Sequence, residues 1–224
     1  MRRIYMLAAA CLITMAGFAQ GFNKDSARTA LKSQKDSTLR ALIHADSLKV
    51  DKEFSDKEKW NNIKSVVVYP VLKGGERSGI IPVKDPTEIP DPTLEYKLLF
   101  ELTQNNPDSL ITDINDGLNE IARVINLHVA SGIPLKKITA VIVAHGGVLK
   151  VLTTNAYYKE HFKVDNPNLK LINDLKGIGA KFIACGQAMA FIGLKKEDML
   201  PFVRISLTAQ TVLSSYQLKG YVRY

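Results

Sequence analysis

Residues 138–144, ITAVIVA, form a continuous apolar run that stops at His145-Gly146-Gly147. An unbroken run of this length is typical of a strand that is covered on both faces of a parallel sheet. The glycines that follow predict a sharp turn at the carboxyl end of the strand. This stretch therefore predicts a buried central strand of a parallel sheet, as in an α/β fold.

Four other segments have strand composition, and helical patterns lie between most of them. The strands are predicted at 94–103 (LEYKLLFELT), 180–184 (AKFIA), 203–207 (VRISL) and 220–224 (GYVRY). Alternation of strands and helices predicts parallel pairing, with helices on both faces of the sheet. We expect a three-layer α/β/α fold with a five-stranded parallel sheet.

The helices between these strands have start signals. Asn106-Pro107 predicts a cap and a first helical residue, and an apolar residue then recurs every three or four positions as far as Ile125. Asn166-Pro167 repeats the same start, and Thr208 is expected to cap the last helix.

The predicted α/β domain covers residues 93–224, and the sequence before it has a different texture. Residues 65–92 are rich in glycine and proline and predict an extended segment. Residues 20–64 are highly charged, with a weak stripe at Leu39, Leu42 and Ile43, and predict a partly helical, partly mobile extension.

Residues 1–19 have the pattern of a secretory signal peptide. Arg2 and Arg3 precede an apolar run, and Gly17-Phe18-Ala19 places small residues at a cleavage site before Gln20. The run is too short for a confident membrane span. We expect an exported, periplasmic protein without stable membrane insertion after cleavage.

Cys185 is the only cysteine that this cleavage would leave, so no intramolecular disulfide could form. It follows the strand at 180–184 and precedes a short helix candidate that begins at Gly186-Gln187. Backbone N–H groups at a helix start favour a thiolate, and a glycine there would allow close approach of a substrate. The alternative is a structural cysteine, because free cysteines are among the most buried residues.

His145 also follows a strand directly, and ligands of parallel sheets bind beyond the carboxyl ends of strands. It could be a proton donor or a polar pocket wall beside the thiol, or a structural residue that is hydrogen-bonded to the backbone. The expected binding residues are His145, Gly146, Gly147, Gly186 and Gln187. Neither nucleotide-binding glycine motifs nor metal-ligand spacings occur in the sequence, so we expect no metal and no dissociable cofactor.

The net charge of +8 is spread along the 224 residues without a block of five basic residues. This distribution is typical of an ordinary soluble surface rather than of a nucleic-acid interface.

Four stretches resemble the DsrE/DsrF-like family of sulfur-relay proteins. They are YKLLFELT (96–103), AVIVAHGGVLKVL (140–152), KFIACGQAMAFIGLKKEDMLPFVRIS (181–206) and LSSYQLKGYVRY (213–224). The resemblance implies a three-layer fold, assembly into trimers or hexamers, and sulfur transfer between protein partners. It also implies that Cys185 carries sulfur as a persulfide. The leading hypothesis is thus an exported sulfur carrier and possible sulfurtransferase, forming a homotrimer, and the alternative is a non-catalytic binding or assembly module.

Overall fold

The computed structural model describes residues 24–107 and 110–224. The expected signal peptide and its cleavage site lie outside the described residues. The described residues divide into two compact units, with the boundary between Glu58 and Lys59. Within the described ranges, no helix combines the length and the apolar character needed to cross a membrane.

The charged extension is helical over its described residues, where it forms one long helix, α1 (Lys24–Lys64). No glycine or proline occurs between Lys24 and Lys64, so nothing in the local sequence interrupts the helix. Its weak apolar stripe stays uncovered, because Leu39, Leu42 and Ile43 are all exposed.

The second unit contains the predicted five-stranded parallel sheet. Its strands are β1 (Tyr96–Leu102), β2 (Ile138–Ala144), β3 (Lys181–Cys185), β4 (Arg204–Ser206) and β5 (Val222–Arg223). They are arranged in the order β4-β3-β2-β1-β5, and all four pairings are parallel. β2 lies at the centre, as its continuous apolar run predicts.

Helices cover both faces of this sheet, which confirms the predicted α/β/α architecture. The larger core packs β1 and β2 against α2 (Asp116–Ala130) and α4 (Leu169–Gly177). The smaller core lies on the opposite face, under α6 (Ala209–Leu218). The remaining helices are α3 (Asn155–Phe162) and the short α5 (Gly186–Ile192).

The first helix of the α/β domain begins later than the sequence predicts. α2 begins at Asp116, and the Asn115 side chain caps it by accepting a hydrogen bond from the N–H of Leu118. Asn106 instead uses its side chain to hold the chain ahead of that helix, accepting from the N–H of Asp116. The predicted start at Pro107 was therefore wrong, because Asn106 bonds to the first N–H of α2 from outside the helix, ten residues before it.

The glycine- and proline-rich segment is anchored to the domain through the buried Asn126 of α2. The side-chain oxygen of Asn126 accepts from the N–H groups of Val71 and Leu72, and its amide donates to the carbonyls of Leu72 and Ser78. Leu72 packs into the larger core. This part of the segment belongs structurally to the domain that it precedes.

Candidate functional site

The candidate residues collect at the carboxyl edge of the sheet. β2 and β3 pair in register as far as Ala144 and Ala184, so His145 and Cys185 occupy the next positions on neighbouring strands. Both residues keep an extended backbone. Adjacent strands lie about 4.8 Å apart, which places the two residues side by side.

Cys185 is the last residue of β3 and is only 5% exposed. Its side chain belongs to the smaller core, which it shares with Val143, Ile183 and Leu213 among others. The thiol therefore lies under α6, at the end of a strand, instead of standing open at the surface.

The sulfur of Cys185 also contacts the start of α6. Sγ accepts a hydrogen bond from the N–H of Ala209, the first residue of that helix, at 3.3 Å. Thr208 occupies the cap position, as predicted, but its side chain makes no capping hydrogen bond. An N–H group at a helix start stabilises negative charge on an atom that it faces.

Gly186 and Gln187 join the site to β4. A side chain at Gly186 would meet the carbonyl oxygen of Ser206 at 2.5 Å, so the absence of a Cβ allows close packing against β4. The N–H of Gln187 donates to the carbonyl of Leu207 at 3.1 Å, while its side chain is exposed. The backbone of β4 thus fills the space beside Gly186 in which close approach of a substrate is expected.

His145 is fixed by a carboxylate on the neighbouring strand β1. Its Nε2 lies 2.8 Å from Oε1 of Glu101, and Oε2 of Glu101 pairs with the guanidinium of Arg223 on β5. The N–H of His145 donates to the carbonyl of Leu102 and so continues the ladder between β1 and β2. The backbone and the ring of His145 are both held in place.

Glu101 and Arg223 are site residues that the sequence reading missed. The available signal was a charged residue near the carboxyl end of a strand, directly after the apolar run Leu98-Leu99-Phe100. A carboxylate at such a partly buried position needs partners, which indicates a specific contact. The identity of those partners depends on the strand order, which the sequence leaves open.

Gly146 and Gly147 form the turn after His145. Gly146 has a φ of +75°, a left-handed conformation that favours glycine. The segment that follows, Gly146–Leu152, is a 3₁₀ helix. A cavity of about 290 Å³ lies between the end of β1 and α2, and its lining includes Phe100, Glu101 and Gly117 but none of the residues 145–147.

The described residues contain no group of three or more His, Cys, Asp or Glu side chains that could hold a metal ion. Cys185, His145 and Glu101 instead offer a thiol, an imidazole and a carboxylate on three adjacent strands. Such a set is suited to nucleophilic chemistry with proton transfer.

A sequence model of the DsrE/DsrF-like family matches residues 97–222, more than half of the chain. The chain belongs to the DsrE/DsrF-like family. The match spans all of the candidate site residues except Arg223, which follows its last residue. Membership in this family suggests a function related to sulfur relay.

Among solved structures, this DsrE/DsrF-like chain is similar to a protein of unknown function from Methanobacterium thermoautotrophicum. The two share 20% sequence identity with a TM-score of 0.42, and the similarity covers 58% of this chain and 97% of the other. No curated protein matches the chain.

Proposed function

We propose that this protein binds and transfers sulfur through Cys185, acting as a persulfide carrier. The observation that carries the proposal is the position of the thiol. It lies at the carboxyl end of β3, in register with His145, with its sulfur facing the first N–H of α6. A sulfur that becomes negatively charged during transfer meets a hydrogen-bond donor there.

The proposed step moves one sulfane sulfur from a donor persulfide. The Cys185 thiolate attacks the outer sulfur of R–S–SH, a new S–S bond forms to Cys185, and the bond between R–S and the transferred sulfur breaks. The products are Cys185–S–SH and R–S⁻, so the reaction needs no external oxidant or reductant. A partner protein that supplies R–S–SH, or accepts the sulfur in a second step, completes the transfer.

A second function is favoured by the burial of the thiol. Cys185 is 5% exposed and packs among aliphatic side chains, as a structural cysteine does. In this alternative the protein is a non-catalytic binding or assembly module, and Cys185 fills the core and caps α6.

Polysulfide treatment of the native protein distinguishes the two functions. We expect the peptide 182–195 to gain the mass of one sulfur atom for each sulfur that is transferred. The gain should be lost after dithiothreitol treatment and absent from Cys185→Ser. Native protein that takes up no sulfur and resists alkylation, but is alkylated when unfolded by urea, would overturn the proposal in favour of the structural alternative.

We also propose that the protein is exported to the periplasm and acts as a homo-oligomer, most simply a trimer. The first proposal rests on the sequence pattern of residues 1–19, and the second on the family resemblance. Amino-terminal sequencing of protein from the periplasmic fraction should begin at or near Gln20. An intact Met1 in the cytoplasmic fraction would contradict export.

A further inference from the structure

Glu101 is a charged residue on β1, which is not an edge strand of the sheet. β1 has β2 on one side and β5 on the other, and Glu101 is partly buried between them. Each of its carboxylate oxygens has a cationic or N–H partner, His145 for Oε1 and Arg223 for Oε2. Burial of a carboxylate is costly unless it is paired in this way, so the arrangement needs all three residues.

The contact with Glu101 determines which nitrogen of His145 carries the proton. An ionised carboxylate can only accept hydrogen bonds, so Nε2 of His145 must be the donor. In the neutral ring the lone pair is then on Nδ1. Within residues 24–107 and 110–224, Nδ1 of His145 has no hydrogen-bond partner, so it is available to accept a proton.

The residues of this group share one face of the sheet with the thiol. Leu99, Val143 and Cys185 belong to the smaller core under α6, and side chains two positions apart on a strand point to the same face. Glu101 and His145 follow Leu99 and Val143 by two positions. The order across the strands is therefore Arg223, Glu101, His145 and Cys185.

We infer that Glu101 is a positioning residue for the thiol chemistry. It holds His145 in the Nε2–H tautomer, so that Nδ1 is the base for the proton of Cys185, and Arg223 fixes the carboxylate through its other oxygen. This inference rests on the proposed sulfur transfer at Cys185.

The proton follows a closed path in this scheme. Nδ1 of His145 takes the proton of the Cys185 thiol, and the resulting imidazolium is paired with Glu101. The thiolate attacks the outer sulfur of R–S–SH, and R–S⁻ then recovers the proton from Nδ1. The overall change converts Cys185–SH and R–S–SH into Cys185–S–SH and R–SH.

Substitution of Glu101 by glutamine gives a sharp test because a glutamine amide has only one acceptor oxygen. Arg223 can only donate, so it attracts that oxygen and turns the NH₂ group toward His145. Nε2 then has to accept, and the ring changes to the Nδ1–H tautomer. Replacing Arg223 by methionine as well frees the amide to rotate and to present its oxygen to Nε2 again.

The experiment compares the ring ¹⁵N chemical shifts of His145 in the full chain, recorded with the histidines neutral. The spectrum of His145→Gln assigns the resonance. We expect the Nε2–H tautomer in the wild type, Nδ1–H in Glu101→Gln, and Nε2–H again in Glu101→Gln/Arg223→Met. Glu120→Gln is the matched control, because Glu120 also pairs with an arginine, Arg123, but lies on α2.

Sulfur uptake by Cys185 from polysulfide is measured on the same proteins. We expect Glu101→Gln to slow it about tenfold or more, since a positioned base contributes on the order of a hundredfold. The double variant should recover most of the rate, and Glu120→Gln should match the wild type.

The outcomes separate the two levels of the proposal. A His145 ring that keeps the Nε2–H tautomer in Glu101→Gln would overturn the role of Glu101 alone. A tautomer change without an effect on sulfur uptake would overturn the role of His145 as the base. A wild-type Cys185 that takes up no sulfur would overturn the proposed function and the proton transfer with it.

Discussion

The sulfur of Cys185 accepts a hydrogen bond from the backbone N–H of Ala209, 3.3 Å away, and so caps the first turn of α6. One atom thus serves the packing of the smaller core and is also the candidate nucleophile. Sulfur is a weak acceptor, and a helix start leaves its first N–H groups without partners inside the helix. Substitutions at Cys185 therefore report on both roles.

Cys185→Ser should keep an acceptor for the Ala209 N–H, whereas Cys185→Ala should leave that buried group unpaired. We expect the serine variant to lose no more than about 1 kcal/mol of the free energy of unfolding. The alanine variant should lose about 1–3 kcal/mol. Urea unfolding monitored by circular dichroism measures both. A serine variant less stable than the alanine variant would show that the apolar surroundings outweigh the hydrogen bond.

Gly186→Ala should destabilise the protein because the new methyl group would meet the Ser206 carbonyl oxygen at 2.5 Å. The neighbour is backbone of β4, so relief requires a shift of the strand, at a cost of about 1–3 kcal/mol. Gly177→Ala is the matched control, since nothing lies within 4 Å of its Cβ position. In thermal unfolding, the melting temperature of Gly186→Ala should be lower than that of Gly177→Ala. Equal melting temperatures would mean that the packing of α5 against β4 relaxes freely.

Asn126→Ala should release the segment that precedes the sheet. The side chain of Asn126 bonds to backbone groups of Val71, Leu72 and Ser78, and its removal leaves buried N–H and C=O groups unpaired. We expect a loss of about 2 kcal/mol or more, together with faster proteolysis between residues 65 and 92. The exposed Asn61→Ala on α1 is the control and should change stability by less than about 0.5 kcal/mol. Unchanged proteolysis in Asn126→Ala would show that other contacts hold the segment.

Much of the fold could be predicted from local patterns. The apolar run at 138–144 matches β2 at both ends, and four further strands occur close to their predicted positions. The predicted start of α2 was wrong. Asn106 and Asn115 are both good caps, and only tertiary contacts decide which one caps the helix. Propensity alone does not distinguish them.

The site was predictable only in part. Cys185 and His145 could be recognised because each follows an apolar strand, and the ends of parallel strands collect at one edge of the sheet. Glu101 and Arg223 could not, because their contact joins residues 122 positions apart in sequence. It forms because β5 pairs with β1, and that adjacency is a property of the strand order.

The proposed homo-oligomer needs an apolar surface that a second copy can cover. Phe191 on α5 is 92% exposed, and Leu207, just after β4, is also exposed. The hydrogen bond from the N–H of Gln187 to the Leu207 carbonyl joins these two elements. A contiguous exposed apolar patch is typical of a surface that a protein partner covers. We propose that a second copy of this chain covers them.

Multi-angle light scattering at micromolar concentration should give a mass above that of the monomer for the wild type. Phe191→Asp should lower the mass to that of the monomer, because a buried unpaired charge opposes association. Leu218→Asp is the matched control: Leu218 is 90% exposed, but it lies at the end of α6, and its substitution should leave the mass unchanged. A wild type that is already monomeric would contradict the oligomer. An oligomeric Phe191→Asp would instead place the interface on another surface.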